Sequence, residues 1–207
     1  MKLVVASASP RRHELLAALG LIFEVLPAAI DEAAVAGDRA PAEAALAIAC
    51  AKADAVRRPG ALVLTADTIV VLDGVVLGKP ASPADARRML GLLRARSHRV
   101  FTGVCLIAPD GRRTAVVDSE VRMRAYGPDE IEAYVAAGGG LDKAGAYGIQ
   151  DEPLRPVEAI AGCWCNVMGL PLWTTWGILL AAGLLAPRTP DAPFARCAAC
   201  PLKRDPA

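Results

Sequence analysis

At 207 residues and 21.5 kDa the chain is long enough to bury a sizeable core as a single domain. Hydrophobic residues make up 54% of it and aromatics only 4%, which excludes a disordered or collagen-like chain and predicts an aliphatic core. A formal net charge of +1 argues against a broad nucleic-acid-binding surface, so any anion site has to be local.

Lys2 to Ala6 reads as a short aliphatic strand that runs into Ser9-Pro10-Arg11-Arg12. Ser9 can cap a helix there and Pro10 suits its first turn; the helix runs to Leu19, where Gly20 stops it. A strand, a small-residue loop and a helix N-terminus together aim free backbone N–H groups and the helix dipole at one place, which is a natural anion pocket. Arg11 and Arg12 oppose that dipole, and a bound anion would account for them; two solvated arginines are the plainer alternative. Ile22 to Leu26 is a second strand, followed by the acids of Ile30-Asp31-Glu32 and a loop. Pro41 opens a helix whose Ala45, Ile48, Ala49, Ala53 and Val56 recur at helical spacing, with Lys52 near its middle.

The run Leu62 to Leu72 is aliphatic on both sides of Asp67 and reads as a strand buried on both faces. A carboxylate is costly there unless neighbouring backbone amides or a cation meet it. Asp73-Gly74 between hydrophobic runs signals a hairpin, with a return strand Val75 to Leu77 ending at Gly78-Lys79-Pro80. Ser82-Pro83 begins a basic amphipathic helix to Leu93, and Val100 to Ala108 and Ala115 to Met123 flank Asp110-Gly111 as a longer hairpin. Pro128 starts a helix through Ala136, closed by Gly138-Gly-Gly140. The aperiodic stretch Leu141 to Gln150 reads as an ordered, functional loop. Ile160 through Leu170 is expected to form a short strand and turn, Pro171 to Leu185 a final helix, and the Pro-rich tail 187–207 to be disordered.

The apolar N-terminus is too short for a signal peptide, and Pro171 divides the longest apolar region, Cys163 to Ala186, into a short approach and an ordinary core helix. A cytoplasmic protein without membrane or nucleic-acid binding is therefore expected. Cys50 and Cys105 read as small core residues. Cys163 and Cys165 with Cys197 and Cys200 are read as thiols; a four-thiolate zinc site is the alternative, against which stand the single residue inside the first pair and the Pro-rich setting of the second.

In chain order, Ser7-Ala-Ser-Pro-Arg-Arg12, Ile30-Asp-Glu32, Ala51-Lys52-Ala53, Ala66-Asp-Thr68, Gly78-Lys-Pro80, Leu141-Asp-Lys-Ala-Gly-Ala-Tyr-Gly-Ile-Gln150 and Asn166-Val-Met-Gly-Leu-Pro171 resemble the Maf (septum-formation-inhibitor-like) family of nucleoside triphosphate pyrophosphatases, from about residue 3 to 185. The resemblance implies a two-lobed α/β fold with an elongated, twisted mixed sheet flanked by helices and a central cleft in one catalytic domain, residues 1–186. It implies hydrolysis of a nucleoside triphosphate to the monophosphate and pyrophosphate with a divalent metal, Mg²⁺ or Mn²⁺. Arg11, Thr68 and Gln150 fall where the branch acting on dTTP and UTP has Ser-Pro-Arg-Arg, Ala-Asp-Thr and Gly-Ile-Gln. A branch acting on 7-methyl-GTP and a non-catalytic nucleotide-binding regulator of division are the alternatives. Ala47 stands where the family commonly has an arginine, and Cys163 and Cys165 replace residues that are more often serines.

With that resemblance, Ser7, Ser9, Arg11 and Arg12 are expected to hold phosphate oxygens, and Lys52 and Lys79 to add point charges on the transferring and leaving groups. Glu32 and Asp67 are the expected metal ligands, Asp67 also the base toward the attacking water, and Thr68 and Gln150 the readers of the pyrimidine edge. The substrate is then a nucleoside triphosphate, and a homodimer is left open.

Overall fold

A computed structural model describes residues 1–203 of the chain. Seven strands form one mixed sheet: β1 (Lys2–Val5), β2 (Phe23–Val25), β3 (Ala61–Leu72), β4 (Val75–Leu77), β5 (Ser97–Ala108), β6 (Gly111–Met123) and β7 (Val157–Ala161). Their order is β2-β1-β3-β5-β6-β7, with β4 paired to β3. β1 is parallel to both β2 and β3, and every other pairing is antiparallel. The β3–β4 hairpin turns on Asp73 and Gly74, both at positive φ (50° and 81°), the backbone that a two-residue turn between right-twisted strands demands.

Helices cover both faces of this open α/β sheet: α1 (Pro10–Ala18), α2 (Glu32–Ala36), α3 (Pro41–Ala55), α4 (Pro83–Leu93), α5 (Pro128–Ala136), α6 (Trp164–Met168) and α7 (Leu172–Ala181). Because side chains alternate across a strand, β3 carries two different surfaces. Its even-numbered residues contribute Leu62, Leu64 and Ala66 to one apolar cluster beneath α1, α6 and α7, then Val70 and Leu72 to a second beneath α4 and α5. Thr68 falls at the change-over. Its registered partner on β5, Thr102, divides that strand in the same way, between Val104 and Leu106 on one side and Val100 on the other. On the odd face, Val63 belongs to one small cluster beneath α3 and Ile69 and Val71 to another, with Thr65 and Asp67 between them. The polar residues of β3 thus sit where its hydrophobic runs break.

Three expectations change. The stretch after β7 is helical rather than strand and turn: Cys163 caps α6 by accepting a hydrogen bond from the Asn166 amide at 3.4 Å. Glu32 opens a short helix rather than a loop, because the Asp31 carboxylate caps the Ala34 amide at 3.0 Å. The tail is ordered as far as residue 203, the rest of it lying outside the described residues. Phe194 and Leu202 pack on the first apolar cluster, Cys197 and Cys200 are buried within it, and the Trp173 indole donates to the Cys197 carbonyl at 2.8 Å. An apolar helix face left uncovered by the body gives this segment something to bury, and its prolines lower the entropy lost in ordering it.

Candidate active site

β1 ends in a loop that delivers Ser7 and Ser9 to the start of α1, where Arg11 and Arg12 follow. Ser9 occupies the N-cap position, yet its hydroxyl makes no capping bond, contrary to the expectation for it. The buried Ser7 hydroxyl instead accepts from the Ser9 amide at 3.2 Å and from Arg12 Nη1 at 3.2 Å. Both of its lone pairs are then used and its proton remains available.

Arg12 is pinned on three sides, donating Nε to the Gly169 carbonyl at 2.7 Å, Nη1 to Ser7, and Nη2 to Thr68 Oγ1 at 3.0 Å. Two of the five N–H donors of a guanidinium stay uncommitted, one on each Nη. Thr68 is itself part of a chain. Thr102 Oγ1 donates its single proton to the Asn166 carbonyl at 3.0 Å, so at the 2.9 Å Thr68–Thr102 contact Thr68 must be the donor. Thr68 therefore orients Arg12 and has no proton left for a nucleobase carbonyl.

On the other face of β3, Lys52 from α3 meets Asp67 Oδ1 at 2.7 Å and Glu32 Oε1 at 2.7 Å. Burial pushes the Asp67 carboxyl above the ordinary carboxylate range, while Lys52 and, more weakly, Arg12 pull it back. Asp67 Oδ2 makes no hydrogen bond among the described residues and is not enclosed, so it opens to solvent. The helix that brings Lys52 lies very close to the sheet: a Cβ on Gly103, the registered partner of Asp67, would stand 2.5 Å from the Ala45 carbonyl.

The far wall is the loop after α5, held against the hairpin by a hydrogen bond from the Gly145 amide to the Gly78 carbonyl at 3.0 Å. Asp142 pairs with Arg11 at 2.9 Å and with Lys143 at 2.7 Å; against its burial, those two cations hold its carboxyl down to about 2. Gln150 places its Oε1 in the interior with no hydrogen-bond partner. Lys79, exposed on the loop after β4, has no ion-pair partner among the described residues.

All ten residues singled out in the sequence, Ser7, Ser9, Arg11, Arg12, Glu32, Lys52, Asp67, Thr68, Lys79 and Gln150, line one cavity of about 840 Å³. Asp142, Lys143 and Gly169 line it as well and were not picked out one by one, although each lies inside a motif. Thr102 and Gly103 act from behind; the only signal for them is a hydroxyl and a glycine in the middle of a buried strand. Ala47, on α3, stands outside the lining.

Glu32 and Asp67 reach to within 2.7 Å of the same ammonium nitrogen, so their carboxylates converge on a point where positive charge is held. Two hard oxygen ligands beside an open cavity suit Mg²⁺ or Mn²⁺, which keep several waters and take the rest of their ligands from substrate phosphates. No three His, Cys, Asp or Glu among the described residues are set to hold a metal by themselves.

A family model described as Maf-like protein matches residues 2–182. A dTTP/UTP pyrophosphatase of Thermomicrobium roseum is 50% identical over 206 residues, covering 98% of this chain and 94% of that one. One from Moorella thermoacetica is 54% identical over 175 residues, with 83% and 90% covered. A solved HAM1 protein from Coxiella burnetii overlaps 61% of this chain and 74% of its own at 18% identity and a TM-score of 0.42. With nearly the whole chain matched, this protein belongs to the Maf-like family.

Proposed function

We propose that the chain is a nucleoside triphosphate pyrophosphatase that splits dTTP and UTP between the α- and β-phosphates. The observation that carries this is the convergence of Arg11, Arg12, Lys52, Lys79 and Lys143, from four separate stretches of chain, on the cavity that also exposes Glu32 and Asp67. The relatives quoted above are named for the same reaction.

Attack at the α-phosphorus builds negative charge on the departing pyrophosphate, so stabilising that charge is the main demand on the protein. The two uncommitted N–H groups of Arg12 form a fork suited to phosphate oxygens, and its three structural bonds hold that fork in place. The spare Ser7 proton and the α1 amides supply further donors. Lys79 adds a mobile point charge at the rim. Asp67 Oδ2 takes the proton of the attacking water as oxygen bonds to phosphorus and the link to the β-phosphate breaks toward pyrophosphate. Glu32 and Asp67 would hold a divalent cation, which would supply positive charge against the negative charge developing on the phosphates. Gln150, with its free buried carbonyl, is the group placed to accept from the pyrimidine N3–H.

A panel of nucleoside triphosphates with Mg²⁺ or Mn²⁺, assayed for pyrophosphate, tests the reading. Turnover should be greatest with dTTP and UTP; preference for 7-methyl-GTP, or tight binding without product, would replace it. Asp67→Asn should fold and lose turnover by about 10²-fold or more. Gln150→Ala should lower dTTP and UTP turnover more than that of purines, and an equal fall for every nucleotide removes Gln150 from base recognition.

A further inference from the structure

Away from the cavity, the four cysteines that the proposed reaction does not use come together inside the first apolar cluster. Cys163 and Cys165 stand at the start of α6, Cys197 and Cys200 around the short 3₁₀ turn Ala195–Cys197 of the tail, and none is more than 9% exposed. Cys165 and Cys197, 32 residues apart, bring their sulfurs to 3.3 Å. Cys163 lies near enough to Cys165 and Cys200 to interact with both. The Cys165–Cys197 contact links the two sequence pairs, and all four cysteines belong to one buried cluster. A backbone amide also points at the cluster: that of Asn166 donates to Cys163 Sγ at 3.4 Å.

We propose that Cys163, Cys165, Cys197 and Cys200 form a structural Zn²⁺ site that fastens the tail to α6. Four thiolates around zinc at about 2.3 Å lie about 3.8 Å apart at tetrahedral angles, so the Cys165–Cys197 pair at 3.3 Å needs to open by only about half an ångström. As the side chains stand, no group of three or more His, Cys, Asp or Glu among the described residues is arranged to hold a metal ion, so the four thiols have to draw together around it. Binding releases the S–H protons to solvent as the Zn–S bonds form, and the Asn166 amide takes up part of the charge left on sulfur. Four buried thiols have weak reason to gather for packing alone, since a small aliphatic side chain fills the same space without an S–H to satisfy. A four-sulfur ligand set suits a soft or borderline cation over Mg²⁺.

The site stands apart from the proposed active site, because none of the four cysteines lines that cavity. Metal analysis of the full chain purified from zinc-supplemented medium tests it without any nucleotide. The expected result is about one zinc per chain, released when a mercurial titrates the four thiols. Cobalt added to the metal-free reduced protein should give a thiolate charge-transfer band with the intense visible bands of tetrahedral Co²⁺. Cys200→Ser should lose the zinc and lower the thermal midpoint, the drop vanishing when parent and variant are compared in excess chelator. If that variant does not fold, the cobalt spectrum of the parent chain still decides. Metal-free protein whose four thiols remain equally reactive with and without zinc overturns the proposal, and so does a Cys165–Cys197 disulfide in the natively purified chain.

Discussion

Replacing Lys52 by methionine isolates what one buried cation does for Asp67. The substitution keeps the packing of the side-chain stem and removes only the charge that sits 2.7 Å from Asp67 Oδ1 and from Glu32 Oε1. Glu32 is more than half exposed and can turn into water, so its loss is small. Asp67 is 7% exposed and cannot. Removing one partner of a buried pair costs about 3–5 kcal/mol, but protonation of Asp67 sets a ceiling. Holding the carboxyl neutral costs about 1.4 kcal/mol for each pH unit above the unfolded value of about 3.9, hence about 4 kcal/mol at pH 7 and about 1.5 kcal/mol at pH 5. The sign follows from proton counting. With its cation gone, Asp67 has a folded-state pKa raised further above the unfolded one, the folded state binds the extra proton, and stability rises as pH falls. Urea unfolding followed by tryptophan fluorescence should place Lys52→Met about 3–4 kcal/mol below the parent at pH 7, closing to about 1.5 kcal/mol at pH 5. Adding Asp67→Asn should abolish the pH dependence. A loss that is the same at both pH values, or below about 1 kcal/mol at pH 7, would refute the claim that Lys52 pulls the Asp67 carboxyl down against its burial.

Gly103→Ala should destabilise by about 1–3 kcal/mol and lower turnover as well. Its Cβ would lie 2.5 Å from the Ala45 backbone, so α3, which carries Lys52, must back away from the sheet; a variant with the parent's melting temperature and kcat contradicts this. His98, buried with Nε2 against the Tyr147 hydroxyl at 2.7 Å, has its pKa pushed down to about 4 by burial. Its folded form stays neutral while the unfolded chain takes up a proton below about pH 6.5, so stability is complete above that pH and is lost as pH falls toward 4. The His98 share of that loss is about 2 kcal/mol between pH 7.5 and 5, and His98→Gln should lose less over the same interval. Equal losses in parent and variant would mean that His98 is protonated in the folded state.

The elements that carry their own signal were legible in the sequence. Asp73-Gly74 marks its hairpin, Pro41 and Pro83 start their helices, and the apolar spacing of α3 holds from Ala45 to Ala53. The gathering of Ser7, Arg12, Lys52, Asp67 and Gln150 came from recognising their motifs in order; no local rule joins residues that far apart. What stayed hidden depends on partners. The five-residue α6 has too few turns to stand alone and forms on the cap from Cys163 and the contact of Asn166 with the Val100 carbonyl and Ser119 hydroxyl. The tail has the composition of a disordered segment until an apolar surface is there to receive Phe194, Leu202 and the two cysteines. Thr68 looked like a residue free to read a base, and only the direction of the Thr102 proton shows that it is committed to Arg12.

The same break in the hydrophobic pattern explains why the cavity is where it is and how it is charged. β3 and β5 each pass from one apolar cluster to the next through a threonine, half-buried Thr68 and buried Thr102, and a seam between two packed regions is where polar side chains can be held without displacing core. The charged residues lining the cavity are Arg11, Arg12, Lys52, Lys79 and Lys143 against Glu32, Asp67 and Asp142, a surplus of two positive charges. A nucleoside triphosphate brings about four negative charges and leaves about two once a divalent cation is bound to it. The cavity's surplus matches that metal-bound form and falls short of the bare triphosphate. Electrostatics alone therefore favours capture of the nucleotide with its cation already attached, and on the proposed reading Glu32 and Asp67 would then hold that cation.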